Sequence, residues 1–217
     1  MKLSLSTEEV PRWVVHLLSG AFHDADPRNV DRVTILALDR LEHCFKNIAL
    51  SSYSDERGAI FNHLHGDQTA TFFYLCSNEA WKIGDMLLAG QFFLLNKMRN
   101  GFVCMYDTIL PDIFLLNHTI GTMLGKAAYG DYFVAYHGVT VGTDRAIQPV
   151  IGKNVIMYPQ SSVTGDCNVG DGAVFSAKAT LMRMNVEADT IVSGIYPAIV
   201  KTPRRKDFVG RYFKITR

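Results

Sequence analysis

Apolar residues recur at two different periods along the chain, and the change falls at Asn100-Gly101. Before it the period is helical. Ser6 and Glu9 stand at capping-box spacing ahead of an apolar stripe, Trp13, Val14, Leu17 and Leu18, that Ser19-Gly20 closes. A second helix is predicted from Val30 to about Ile48. Val33, Leu36, Leu38, Leu41, Cys44, Phe45 and Ile48 recur there mostly at three and four, opposite a polar face of Asp31, Arg32, Asp39, Arg40 and Glu42. Two more helices are predicted, over Thr69 to Cys76 and about Glu79 to Met98, the second ended by Asn100-Gly101 where a left-handed cap forms readily.

Beyond Gly101 the period becomes six. Ile151, Met157, Val163, Val169, Phe175 and Leu181 share one phase, and Val155, Ser161, Cys167, Ala173 and Ala179 follow four residues behind the first five. A large apolar residue and then a smaller one every six positions suits neither a 3.6-residue helix nor a two-residue strand repeat. It suits a three-sided coil of about eighteen residues, each side a short strand, with the large residue pointing inward and the smaller one near a corner. Gly152, Gly165, Gly170 and Gly172 serve those corners. A β-sandwich would place its strands at irregular spacings of about 8 to 12 residues. Leu124-Gly125 and Val141-Gly142 read as earlier coil starts, and Thr143 to Pro149 as a loop inserted between coils. Val186 and Val192 sit one place out of phase with Leu181, so the coil is expected to end there. The fold class is α+β, a helical domain over residues 1–101 followed by a parallel β-helix over 102–200 and a basic tail over 201–217.

Composition narrows the partners. The chain has 217 residues, 48% of them hydrophobic, enough for a substantial core. A net charge of +1 offers no field for a nucleic-acid backbone. The four cysteines lack any C-x-x-C pair, which argues against a disulfide framework or zinc knuckle and fits a reducing cytoplasm. The start MKLSLSTEEVPRW has no basic segment leading into an apolar one, and no apolar run reaches the ~20 residues of a membrane span. A soluble, unprocessed cytoplasmic protein is expected.

Two segments add a resemblance. Asn117-His118-Thr119-Ile120-Gly121-Thr122-Met123-Leu124-Gly125, then Tyr136-His137-Gly138-Val139-Thr140-Val141-Gly142 and the hexapeptides, resemble the serine acetyltransferase family of left-handed β-helix acyltransferases. The similarity is strongest to short members from surface-polysaccharide gene clusters. It covers about residues 92 to 200, including Leu94 to Lys97, Leu110-Pro111-Asp112 and Gly194-Ile195-Tyr196-Pro197. The resemblance implies a left-handed coil, against the usual right-handed crossover, a homotrimer with its active site between subunits, and acetyl-CoA as donor. His118 matches the catalytic base of an Asp-His-Ala-Thr-Gly-like segment, with Asn117 in place of the Asp. A second family Asp, one coil earlier, orients that base. Asp107 matches it if about four residues are deleted from the coil, and Asp112 is the other candidate.

Acetyl transfer from a thioester needs a base for the attacking hydroxyl or amine and donors for the developing oxyanion. Imidazole suits the first task, with a carboxylate on its second nitrogen to fix the tautomer. His137 lies nineteen residues after His118, about one coil, so the two rings are expected on stacked rungs at one edge. His118 is then the base and His137 a substrate-orienting or oxyanion-side group; the reverse assignment, or histidines merely hydrogen-bonded at corners, stays open at this point. His16, His23, His43, His63 and His65 read as surface or core residues. No Cys or Ser sits in a nucleophile motif, so direct transfer without an acyl-enzyme is expected. Gly165, Ser176 and Ala177 would let the pantetheine arm approach the backbone. Lys201, Arg204 and Arg205, in the one dense basic run, would meet the coenzyme phosphates or form a solvated tail. The acceptor is expected to be a sugar, a nucleotide-linked sugar or L-serine, and the assembly a trimer or a dimer of trimers. No metal is expected. Two rival readings are a non-catalytic scaffold and a zinc hydratase like the gamma-type carbonic anhydrases, which needs three His ligands where the coil half has two.

Overall fold

The capping box at the N-terminus forms reciprocally. Glu9 Oε2 accepts the Ser6 N–H at 2.7 Å and Ser6 Oγ accepts the Glu9 N–H at 3.3 Å. Helix α1 (Glu9–Ala21) starts there. In this computed structural model, which describes residues 1–214, three further long helices follow: α2 (Val30–Lys46), α3 (Gly66–Lys82) and α4 (Met86–Asn100). The boundary between the last two differs from the expectation. The two helices expected over Thr69 to Cys76 and from about Glu79 divide later, because α3 continues to Lys82 and the polar groups at 77–79 each have a tertiary partner. Ser77 Oγ donates to the Ala89 carbonyl, Asn78 Nδ2 to the Tyr106 carbonyl, and Glu79 accepts from Arg40 and Lys82. The real break is Gly84, at φ +82°, before Asp85, whose side chain accepts the Leu88 N–H and caps α4. Gly101 ends α4 in the left-handed conformation, as its sequence predicts.

A small sheet beside the helices has no counterpart in the sequence reading: β1 (Lys2–Leu3), β2 (Ser54–Asp55) and β3 (Gly58–Phe61), in the order β1-β3-β2.

The rest is a three-sided parallel β-helix. Its first face stacks β4 (Phe114–Asn117), β7 (Phe133–Tyr136), β10 (Ile156–Met157), β13 (Val174–Phe175) and β15 (Thr190–Ile195). The second stacks β5 (Met123–Leu124), β8 (Thr140–Gly142), β11 (Ser162–Thr164) and β14 (Thr180–Met182). The third stacks β6 (Ala128–Tyr129), β9 (Val150–Ile151) and β12 (Asn168–Val169). The six-residue phase is the inward one: Ile151, Met157, Val163, Val169, Phe175 and Leu181 are all buried, and so are the smaller Ser161, Cys167, Ala173 and Ala179. Ile156 pairs with Val174, eighteen positions on, while Val134 pairs with Ile156, twenty-two on. The additional residues form the expected loop, a tight hairpin in which Asp144 and Ile147 exchange backbone hydrogen bonds. Rungs approach closely at the corners; a Cβ on Gly170 would stand 2.4 Å from the Ala188 nitrogen.

The stack does not end at the phase slip. Val192 pairs with Phe175 and Val186 bridges to Val169, so the last rung is one residue shorter and still buries both valines. Strand β16 (Ala198–Pro203) then pairs antiparallel with β15 and caps the coil edge. The stretch after residue 200 is not a loose tail as far as residue 214. It crosses back to the helical half, where the Ala49 N–H donates to the Tyr212 carbonyl, the Lys214 N–H donates to the Asn47 carbonyl, and Phe213 is buried. Residues 215–217 lie outside the described residues.

The inward phase makes a direct prediction. Phe175→Ala leaves a cavity among closed rungs and should lower unfolding free energy by about 3–5 kcal/mol. Ile147→Ala, on the exposed hairpin, should stay within about 0.5 kcal/mol. Denaturant titration checks both.

Candidate functional site

His118 sits at the corner after β4, in the left-handed region at φ 57°. The register shows why that corner protrudes. Asn117 pairs with Tyr136, but the Gly138 N–H donates to the Ile120 carbonyl. Residues 118 and 119 therefore have no counterpart between 136 and 137 on the rung above. A stack of parallel strands can accommodate such an excursion only at a corner, and its free amides need partners.

Asp67, in the first turn of α3, supplies them. Its Oδ2 accepts the His118 N–H at 2.9 Å and its Oδ1 the Thr119 N–H at 3.0 Å. A carboxylate in that first turn also has the favourable sign for the helix dipole. Thr119 is held from a second side, its hydroxyl donating to the carbonyl of Asn100 at the end of α4. Asn100 in turn accepts from Thr69 Oγ1 and donates to Asn96 Oδ1, all within the buried helical interior. Two helix ends thus grip one corner of the β-helix.

The gripped backbone leaves the His118 imidazole 72% exposed, with Nδ1 3.9 Å from Asp67 Oδ2. That is beyond hydrogen-bond length, so the carboxylate holds the backbone of this corner and leaves the ring unbonded. The ring meets Tyr136 edge-on, with centroids 6.5 Å apart. Tyr136 belongs to a hydroxyl chain along the same edge. Its hydroxyl bonds that of Tyr212 at 2.8 Å, and Tyr212 donates to Tyr158. Burial is the main cause that pushes the Tyr212 phenol well above its ordinary range, with the two hydroxyl neighbours adding to it. The returning C-terminal segment therefore forms part of the wall beside His118.

His137 begins the corner one rung above. Its Nδ1 is buried without a hydrogen-bond partner, and its carbonyl accepts the Gln160 N–H of the next rung. The two histidines share the edge expected of them, offset by the two-residue excursion.

Both carboxylates expected to orient the base have other surroundings within the chain. Val103, not Asp107, bridges to Met123 on the rung below, and Asp107 lies beyond it with its carboxylate 2.7 Å from Lys126 Nζ. Asp112 lines a separate cleft of ≈ 300 Å³ with Asp39, Arg40 and His43. The carboxylate at His118 is Asp67, 51 residues upstream, and no spacing rule along one chain could have pointed to it.

The expected coenzyme residues do not converge on one chain. Ser176 and Ala177 follow β13 on the edge of the tyrosines, but Gly165 follows β11 at a different corner. There it has φ +77° and packs against Asp144, which is ion-paired to Arg183. Lys201 is committed to the Asn185 carbonyl and Glu187, and Arg204 to Asp189 and the Lys206 carbonyl. Arg205 is exposed. All four cysteines are buried and unpaired, and burial pushes the Cys44 thiol up to about 12. Among the described residues, no group of three His, Cys, Asp or Glu could hold a metal ion, and no helix is long and apolar enough to cross a membrane.

No family model and no curated protein matches the sequence. Solved structures do match the fold. Serine acetyltransferase from Neisseria gonorrhoeae superposes with a TM-score of 0.71 at 18% identity, over 95% of this chain and 82% of that one. The Brucella abortus serine acetyltransferase gives 0.71 at 16% identity, over 92% and 84%. The latter enzyme in complex with coenzyme A gives 0.70 at 16% identity over the same shares. The chain therefore has the helical-plus-left-handed-β-helix fold of the serine acetyltransferases along nearly its whole length.

The double clamp yields a measurable expectation. Asp67→Ala removes the acceptor for two amides and should cost about 2–3 kcal/mol of stability, with hydrogen exchange speeding up at 118 and 119. Exchange at Val163 and Phe175, inside the stack, should change only by the global loss.

Proposed function

We propose that the protein is an acetyl-CoA-dependent acetyltransferase acting on a hydroxyl or amine of a small acceptor, with His118 as general base and no acyl-enzyme. The observation that carries this reading is the exposed imidazole presented on a carboxylate-clamped excursion, on the fold that serine acetyltransferases use. The base removes the proton of the acceptor as its oxygen or nitrogen attacks the thioester carbonyl. The tetrahedral intermediate then expels the coenzyme A thiolate, and the imidazolium returns the proton to it. Asp67 holds the two amides of that corner and so fixes where the ring is presented.

The same reasoning separates the roles of the two histidines. A buried nitrogen with no acceptor beside it is better left as a lone pair than as an orphaned N–H. His137 Nδ1 is such a nitrogen, so its proton belongs on Nε2. The ring then offers a donor for the acceptor or the oxyanion, not a base. The thiols are closed off by burial, which supports direct transfer over a covalent intermediate.

Coenzyme A in the Brucella abortus complex supports acetyl-CoA as donor here, and serine bound to the Neisseria gonorrhoeae enzyme keeps L-serine beside sugars as an acceptor. In this reading the chain is a cytoplasmic homotrimer. The groove between prisms brings Ser176 and Ala177 to the pantetheine and the exposed Arg205 of the basic run to a coenzyme phosphate.

Thiol release from acetyl-CoA, screened against L-serine, sugars and nucleotide-linked aminosugars, is the test. At least one acceptor should raise release above hydrolysis, and His118→Ala should lower it by about 10²–10⁴-fold with an unchanged circular dichroism spectrum. Background release with every acceptor, or full turnover in His118→Ala, would overturn the assignment.

A further inference from the structure

Asp107, displaced from the histidine, belongs to a second feature. The 105–110 turn and the corner at Lys126 enclose a cleft of ≈ 230 Å³ lined by Asp107, Thr108, Ile109, Lys126, Ala127 and Gln148. The turn is fixed from beneath, where the Tyr74 hydroxyl donates to the Thr108 carbonyl at 2.8 Å and accepts the Leu110 N–H at 2.9 Å. Two polar atoms on this rigid turn are buried without a partner, Asp107 Oδ1 and Thr108 Oγ1, and Thr108 is 2% exposed. Burying such atoms unpaired costs about 1–3 kcal/mol each, and an orphaned pair beside a cleft points to a ligand that supplies the missing bonds.

The lining selects the ligand chemistry. Asp107 Oδ2 is already paired with Lys126 Nζ, so Oδ1 is left needing a donor. A phosphate or carboxylate would meet the Asp107 charge, and an ammonium would meet Lys126. A hydroxyl meets neither objection, since it donates to Asp107 Oδ1 and accepts from Thr108 or Lys126 through the same oxygen. Two adjacent hydroxyls would engage carboxylate and ammonium together. Ile109 is 54% exposed and, with Ala127, offers an apolar surface to a C–H face. The volume lies below the ~300–1,000 Å³ of pockets for drug-sized molecules, which limits the occupant to one small unit.

We propose that this cleft binds a neutral polyhydroxyl ligand of single-sugar size through Asp107, Thr108 and Lys126. The site requires neither acetyl-CoA nor His118, so it extends beyond the acetyl-transfer reading and is tested apart from it.

The test is amide-detected NMR titration of the full chain with a panel of methyl glycosides, with glycerol, L-serine and inorganic phosphate as controls. At least one glycoside should shift the 107–109 and 126–127 amides saturably at millimolar concentration. Its affinity should fall about tenfold or more in Thr108→Val, and likewise in Asp107→Asn, each with a native-like spectrum, and stay unchanged in His118→Ala. Thr108→Val is nearly isosteric and leaves the ion pair intact, so it still tests the site if Asp107→Asn disturbs the fold. Overturning results are no saturable shift with any glycoside, equal binding of phosphate or L-serine, or affinity indifferent to Thr108→Val.

Discussion

The clamp of Asp67 on the amides of His118 and Thr119 is the interaction on which the candidate chemistry depends. A parallel β-helix is a strict repeat, because each rung must satisfy the hydrogen bonds of the rungs beside it. Residues added between faces have no strand to pair with and must leave the stack at a corner. The chain does this twice: at residues 118–119, where the excursion is tied down by a helix, and at Thr143–Pro149, where it closes on itself as a hairpin. Only the first is anchored by a carboxylate on successive amides. That anchoring turns an irregularity of the repeat into a fixed presentation of one imidazole.

The clamp also explains what the helical half contributes. Asp67 comes from the start of α3 and Asn100 from the end of α4, so both ends of a helical pair converge on the same corner. Further along the junction Tyr53 donates to the Leu116 carbonyl and Cys44 to the Phe114 carbonyl, against the first strand of the coil. The returning segment with Tyr212 and Phe213 completes the join by touching both halves. The helices are therefore part of the site's construction, and the hydrophobic core runs without interruption from α1 into the coil.

Much of this was legible in the chain because it is local or periodic. The Ser6–Glu9 box, the Gly101 cap and the inward phase from Ile151 to Leu181 follow from spacing alone, and all appear as read. The rest depends on tertiary contacts. The boundary expected between Cys76 and Glu79 falls instead at Gly84, because the partners of Ser77, Asn78 and Glu79 lie on α4, the 106 turn and α2. The slip at Val186 looked like an end because a parallel rung can lose one residue and keep its inward valines. One coil before His118 the register places Val103. Asp67 lies outside the repeat altogether, and a contact between a helix start and a coil corner leaves no periodic trace.

The account's central claim is that this corner delivers His118 to the reacting group. A crystal structure with coenzyme A bound tests it most directly. The account predicts the coenzyme thiol within about 4 Å of the His118 imidazole of one protomer, with Asp67 still on the amides of residues 118 and 119. A bound coenzyme whose thiol lies at another corner, with His118 turned to open solvent in every protomer, would contradict it.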